Sequence, residues 1–528
     1  MATVREVTYQ LLRSLGMTTM FGNPGSTELP FLQDFPDDFT YVLGLQEATV
    51  VAMADGFAQA TRHCALVNVH TAPGTGNAMG NIITAYRNKT PLIITAGQQV
   101  RAMMAIEPWL FNKEAVELPK PYVKWSYEPA RAQDVPAAIA RAYFTAMQAP
   151  RGPVFVSIPM DDWAVEVDPF PHREVSDRTA PGPQALKQAA EVMKSGQHPV
   201  LVIGAGVDIG DAYEVTIKLA ERLRVPVWAA PNSWRSSFPE DHPLFQGALP
   251  AAIAPVSEKL AAYDVVMVIG SPIFNYYPYV PGSIVKDGTR VIQLTDDPDE
   301  AARAPVGNSV VGDLRIAIEQ LIELLPASER ALPAPRLQPE TPPAQTPIST
   351  AFLMHTLAQV MPSNAIMLQE TASNANVLKQ FLRTNGSGQS YHAGSGGLGW
   401  AMPAAVGVQL AKRDRPVVCV VGEGASMYSI QALWTAAQHR LPIVFVVPRN
   451  GEYAILKAFA EFEQVGQNIP GLDVPGFDLV QIAQGFGCQA QRIEQPEDLK
   501  TALQMAMDNN QPTVIEVLID SKVPALLS

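Results

Sequence analysis

Val417-Val418-Cys419-Val420-Val421-Gly422-Glu423-Gly424 and Ile443-Val444-Phe445-Val446-Val447-Pro448-Arg449-Asn450-Gly451 share one pattern: a short β-branched run closed by a polar glycine turn. Such uninterrupted runs read as buried parallel strands. In open parallel sheets, ligands bind just beyond the carboxyl ends of the strands. Glu423 and Asn450, 27 residues apart, would offer a carboxylate and an amide oxygen there. That donor pair suits a hard cation such as Mg²⁺. A helix is predicted over 429–438, after the first turn, and its N-terminus would favour a phosphate. Together these features suggest a metal-bridged diphosphate.

Working outward, the chain of 528 residues is too long for a single core. Two proline-rich seams divide it. One covers 165–184; the other, over 326–347, carries Pro326, Pro333, Pro335, Pro339, Pro342, Pro343 and Pro347. The blocks 1–180, 181–328 and 345–528 each alternate short apolar strands with helical patterns. Examples are Ala65–Val69 in the first, Pro199–Ile203 and Val265–Ile269 in the second, and Thr513–Val517 in the third. The expected fold is α/β, with three doubly wound parallel-sheet domains. Gly204-Ala205-Gly206 and Gly210 follow a strand in the middle block, but the third glycine is one position late for a dinucleotide loop. A plain strand–helix turn is the better reading.

A net charge of −13 with no basic block argues against nucleic acid and anionic membranes as partners. Cys64, Cys419 and Cys488 are an odd, dispersed set without metal-ligand spacing, which suits a reducing cytoplasm. Arg5, Glu6 and Arg13 break any leader-like apolar run, and no apolar segment is long enough to span a bilayer.

In the first block, Phe21-Gly22-Asn23-Pro24-Gly25-Ser26 reads as a strand end entering a tight turn, where Ser26 could donate to an anion. Gln46-Glu47 opens a helix to Ala60 that contains Asp55 and Gly56. His70 ends the strand 66–69, and Ala72-Pro73-Gly74-Thr75-Gly76-Asn77 reads as a further glycine turn opening a helix. Taken singly, each of these is more readily structural than functional.

Taken in order, they resemble thiamine-diphosphate (ThDP)-dependent 2-oxo acid decarboxylases, nearest the benzoylformate-cleaving branch. The likeness includes 23–32, Thr95-Ala96-Gly97-Gln98-Gln99, 123–129, Ala301-Ala302-Arg303-Ala304-Pro305 and 470–476, and it runs end to end. It implies ThDP and Mg²⁺ (or Ca²⁺) bound between the first block of one subunit and the third block of another, usually within a homotetramer. It names the outer blocks as pyrimidine-binding and diphosphate-binding domains. Glu47 would bond the aminopyrimidine, Gly396 would accept its amino group, and Leu398 would prop the cofactor. Ser373 would give a hydroxyl to the diphosphate, and Gly422, Gly424, Ala425, Tyr453, Ala454 and Ile455 would complete the cofactor site. Glu423, Asn450 and the carbonyl of Glu452 would hold the metal. Ser26 would take the substrate carboxylate and His70 would transfer protons, giving an aldehyde and CO₂, with aldehyde carboligation as a side reaction. Leu110, His392, Ile455, Leu456 and Phe459 would line a mostly apolar pocket suited to an aryl or branched alkyl 2-oxo acid.

Three positions depart from the family pattern. Glu423 replaces an Asp and adds a methylene, roughly 1.5 Å of reach. Tyr277 stands where the family has a second histidine, and a phenol, ordinarily titrating at about 10, is a poorer shuttle near neutrality. His392 replaces an aromatic pocket wall and is a candidate for part of the missing proton role, with a specificity change as the alternative. The competing functions are an acetolactate-synthase-like carboligase and a ThDP-binding homologue with impaired catalysis.

Overall fold

The computed structural model describes residues 1–528 except 172, 467, 475, 523–525 and 527–528. His172 of the first seam and Pro475 of the 470–476 motif therefore lie outside the described residues.

Three six-stranded sheets, all parallel, carry the chain. The expected α/β class follows from the sequence: runs such as Val417–Val421 and Val265–Ile269 are buried at every position, as strands covered by helices on both faces must be. The N-terminal sheet runs, from edge to edge, Thr40–Leu43, Thr19–Asn23, Ala65–Val69, Leu92–Gln98, Val154–Pro159 and Ser126–Tyr127. The C-terminal sheet runs Ser390–His392, Ile366–Glu370, Val417–Val421, Ile443–Arg449, Thr513–Leu518 and Gln489–Ile493. Numbered within each sheet, both read 2-1-3-4-6-5. Each has its topological switch point, where a ligand crevice opens, between its first and third strands.

The central sheet has the order 3-2-1-4-5-6 of dinucleotide-binding folds, and Gly204–Gly210 falls at its switch point. The crevice is filled there by the protein itself. Gly204 N–H donates to Ile269 O (2.8 Å) and Gly206 N–H to Gly270 O (2.9 Å). A Cβ on Gly204 would lie 2.4 Å from Gly270 O. Buried Asp208 in the same turn binds Arg235 (Nε to Oδ2, 2.6 Å) and Arg62 (Nη2 to Oδ1, 2.9 Å). The glycines serve close backbone packing.

The helix Glu47–Thr61 is buried on nearly all sides because it lies between the N-terminal sheet and the helix Ala401–Ala411 of the C-terminal domain. The two helices meet backbone to backbone: a Cβ on Gly56 would sit 2.2 Å from Ala404 O, and one on Gly407 would sit 1.9 Å from Met53 O. Beside that contact the carboxylate of Asp55, fully buried, accepts four hydrogen bonds. Oδ1 takes Thr90 Oγ1 (2.6 Å) and Gln59 Nε2 (2.8 Å); Oδ2 takes Trp400 Nε1 (2.7 Å) and Asn88 Nδ2 (2.8 Å). Gln59 in turn accepts from Arg235 Nη1 (3.1 Å), which joins all three domains. Burial still holds the Asp55 carboxyl above its ordinary range.

Asp55→Ala strands four buried donors. Their loss destabilises the protein by roughly 3 kcal/mol, read as a lower denaturant midpoint. A midpoint unchanged from that of the native chain would show that the carboxylate does not tie the domains together.

Candidate functional site

The N-terminal switch point assembles one group of residues. Ser26 lies, exposed, in the turn after Thr19–Asn23, and His70 directly follows Ala65–Val69. Glu47 is the first residue of its helix, which Gln46 caps by accepting Thr49 N–H (3.1 Å). Only 8% of Glu47 is exposed, and its two oxygens accept from Asn23 Nδ2 (3.4 Å) and Asn77 Nδ2 (3.1 Å). The helix bearing Asn77 starts at Thr71, so 72–77 forms its first turns rather than a separate glycine loop. Gly74 N–H already bonds His70 O (2.7 Å), which begins the helical ladder there.

The C-terminal switch point assembles a second group. Gly422-Glu423-Gly424-Ala425 turns out of Val417–Val421 into a single helical turn, Glu423–Ser426. The helix predicted over 429–438 begins only at Ala432. Residues 429–434 close i→i+3 turns instead (Ala432 N to Ser429 O, 3.0 Å; Leu433 N to Ile430 O, 3.1 Å), so no helix starts at Ser429. Glu423 Oε1 accepts the N–H groups of Asn450 (3.0 Å) and Gly451 (2.8 Å). The added methylene thus spans the gap between the two turns, leaving Oε2 without a hydrogen-bond partner among the described residues. Burial raises the Glu423 carboxyl above its ordinary range. Asn450 Oδ1 accepts from Glu452 N (3.2 Å). Ser373 Oγ accepts from Ile455 N (3.1 Å) at the start of the helix Ala454–Phe462, close to Tyr453. Hard oxygens and open helix-start amides at one crevice are the donor set that a metal-bound diphosphate requires.

Gly396 and Leu398 sit in the turn before the helix Ala401–Ala411. Gly396 has φ +73° and open space where a side chain would be. The turn is held from both sides. Glu370 accepts Gly399 N–H (2.6 Å), Trp400 N–H (2.9 Å) and Ala401 N–H (2.7 Å), while Asn88 Oδ1 takes Gly394 N–H (2.8 Å). Burial pushes the Glu370 carboxyl up to about 7 even so.

Family models match this arrangement block by block: the N-terminal TPP binding domain of thiamine pyrophosphate enzymes over 2–114, their central domain over 186–321, and their C-terminal TPP binding domain over 371–517. Benzoylformate decarboxylase of Pseudomonas aeruginosa is 45% identical, covering 98% of this chain and 99% of the relative. The chain belongs to the thiamine-diphosphate-dependent 2-oxo acid decarboxylases. Among solved structures, benzoylformate decarboxylase from Polynucleobacter necessarius superposes with a TM-score of 0.98 at 44% identity, covering 99% and 100% of the two chains. The 4-hydroxybenzoylformate decarboxylase of Rhodococcus jostii RHA1 superposes at 0.95 with 43% identity, covering 98% and 99%. Acetolactate synthase large subunits are more distant, at no more than 26% identity. Thiamine diphosphate is the cofactor of this family of folds and of this chain.

Within this decarboxylase, Tyr277 is 68% exposed and its ring lies 5.1 Å from that of Phe459, so those two share one surface. Leu456 on the same helix is also exposed; Leu110 lies in the 100–111 segment of the N-terminal domain. No hydrogen bond among the described residues joins Ser26, Glu47 or His70 to Glu423, Asn450 or Glu452. His392 faces the central domain. Its Nε2 lies 2.5 Å from Ser233 O of the central domain, and it borders a cavity of about 50 Å³ with Ser236, Glu240 and Lys379. Burial pushes the imidazole down to about 4, so it is neutral where a shuttle would have to charge. Sequence reading missed Asn23 and Asn77 as partners of Glu47, and also Glu28 and Glu370. All four are polar residues whose partners only the fold brings near. No helix among the described residues is long and apolar enough to cross a membrane.

An unfolded imidazole titrates near 6.5, and folded His392 at about 4. Between those values the unfolded chain binds the extra proton, so the native state loses stability as pH falls through that window. His392→Phe should therefore lose less unfolding temperature than the native chain on going from about pH 7.5 to about pH 5. It should also leave the pH–rate profile near neutrality in place. Equal acid-side losses would refute the neutral, buried assignment.

Proposed function

We propose that the protein decarboxylates an aryl 2-oxo acid of the benzoylformate kind, non-oxidatively, to the aldehyde and CO₂. The observation that carries this reading is Glu47, Ser26 and His70 converging at one switch point, in a chain whose full-length relatives at 43–45% identity are decarboxylases of aryl 2-oxo acids. Bound thiamine diphosphate supplies the electron sink that a 2-oxo acid itself lacks. Glu47, fixed between Asn23 and Asn77, would hold the pyrimidine end. Gly396 and Leu398 would bound that end from the C-terminal domain. Ser373, Gly422, Gly424, Ala425 and the 453–455 helix start would hold the diphosphate. Glu423, through its uncommitted Oε2, Asn450 Oδ1 and the carbonyl of Glu452 would hold Mg²⁺ or Ca²⁺.

The exposed hydroxyl of Ser26 would orient the substrate carboxylate. His70 would deliver and recover the proton at the former keto carbon and its oxygen. Leu110, Ile455, Leu456 and Phe459 would exclude water from the substrate side chain, which favours an aryl group over a methyl. Tyr277 would edge that surface beside Phe459. Two separate half-sites per chain support an assembly in which one copy's N-terminal half meets another's C-terminal half, a homodimer or the family's homotetramer, and the cysteine pattern supports a cytoplasmic setting.

Purified protein with ThDP and Mg²⁺ should release CO₂ and aldehyde in equal amounts from benzoylformate, with kcat/KM at least about 100-fold above pyruvate, the scale of a side chain filling an apolar pocket. CO₂ without free aldehyde would favour the carboligase reading, and no turnover of any 2-oxo acid would favour impaired catalysis. Chelation of the metal should release ThDP from the protein. In Glu423→Ala the metal dependence of ThDP binding, measured by calorimetry, should disappear; retention of that dependence would remove Glu423 from the ligand set.

A further inference from the structure

Glu28 is 1% exposed, and four polar groups converge on its carboxylate. Oε1 accepts Thr27 Oγ1–H (2.7 Å) and Gly97 N–H (2.9 Å); Oε2 accepts Gly25 N–H (2.9 Å) and stands 2.8 Å from His70 Nδ1. Thr27 Oγ1, its hydrogen committed to Glu28, is 3.1 Å from the same Nδ1 and can only accept from it. An ionised carboxylate has acceptor sites and no hydrogen to give. Both hydrogen-bond neighbours of Nδ1 among the described residues are thus acceptors, and Nδ1 must carry the hydrogen.

We propose that Glu28 is a positioning residue that fixes His70 as the Nδ1–H tautomer, leaving Nε2 as the nitrogen that exchanges protons with the substrate, and at the same time anchors the turn that presents Ser26. The proposal rests on the decarboxylase reading above. Backbone geometry is committed to it on two sides. A Cβ at Gly25 would fall 2.1 Å from His70 Nδ1, and one at Gly97 would fall 2.3 Å from Glu28 Oε1. Glycine at both positions is what allows the strand Leu92–Gln98, the Ser26 turn and the imidazole to approach one carboxylate. Through Gly25 N–H and His70 Nδ1–H, a single oxygen holds both the substrate-orienting turn and the proton-transfer group. The remainder of the imidazole keeps its opening: 18% of the side chain is exposed.

The same geometry says why an amide cannot replace the acid. In Glu28→Gln the NH₂ group must face either Gly97 N–H and Thr27 or Gly25 N–H and His70, donor against donor. The histidine can relieve the second clash only by moving its hydrogen to Nε2.

The test is long-range ¹H–¹⁵N correlation on the histidine-labelled holoenzyme, with the His70 signal identified by its loss in His70→Asn. The native enzyme should show Nδ1–H. Glu28→Gln should show a shift of population toward Nε2–H, with kcat lowered by roughly 100-fold or more while ThDP affinity and the far-ultraviolet circular dichroism stay native. Native His70 found as Nε2–H would overturn the proposal, a measurement that needs no variant to fold. So would a folded Glu28→Gln that keeps both Nδ1–H and native kcat. Failure of the native enzyme to release CO₂ would instead overturn the decarboxylase reading, and the native tautomer would still decide the role of Glu28.

Discussion

The close approach of two helices, Glu47–Thr61 and Ala401–Ala411, is the contact on which the outer domains depend. Gly56 and Gly407 carry no side chain where the backbone of the opposite helix comes close, and Asp55 converts the resulting proximity into direction. Its carboxylate can be satisfied only when Asn88, Thr90 and Gln59 of one domain and Trp400 of another stand at hydrogen-bond distance together. Buried anions of this kind stabilise little in net terms, yet an incomplete set of partners is costly. The interaction therefore specifies one arrangement of the domains more than it strengthens that arrangement.

From this follows the equivalence of the two crevices. Both outer sheets follow the same strand order, and both place their chemistry at the same point in it. The N-terminal crevice collects a carboxylate, a hydroxyl and an imidazole; the C-terminal crevice collects hard oxygens and helix-start amides. The central sheet has a switch point too, but it is closed by the backbone of Gly204, Gly206 and Gly270 and by the Asp208–Arg235 pair. Similar architecture thus yields two open sites and one sealed one, and the difference lies in a few side chains at each turn.

Much of this was legible in the sequence because buried parallel strands leave a plain trace. Val417–Val421, Pro199–Ile203 and Val265–Ile269 are strands over the residues read from their β-branched runs. The start of a helix is less legible. Residues 429–431 have helical composition but take i→i+3 turns, and Pro73-Gly74 looks like a loop yet lies in a helix, because Pro73 falls in the first turn, where N–H groups lack partners anyway, and Gly74 N–H begins the ladder by bonding His70 O. Candidate site residues stand out where a motif surrounds them, as with Ser26, Glu47 and Glu423. Glu28 lies two positions from Ser26 and still escaped, because its partners Gly97 and His70 come from strands far away in sequence. The surroundings of His392 were hidden for the same reason: sequence gives its neighbours along the chain, but Ser233, which holds it, comes from another domain.

Gly56 and Glu47 share one helix, nine residues apart, or about 14 Å along its axis. A straight helix of that length behaves as a rigid rod. The placement of the Glu47 carboxylate is therefore gauged twice, by Asn23 and Asn77 in the crevice and by the contact along the helix where Gly56 rests on Ala404. A methyl group added at Gly56 would touch nothing in the crevice, yet it would displace the carboxylate by about the width of the error introduced. The tolerance of the crevice is thus shared with a contact remote from it, much as the tip of a lever answers to its fulcrum.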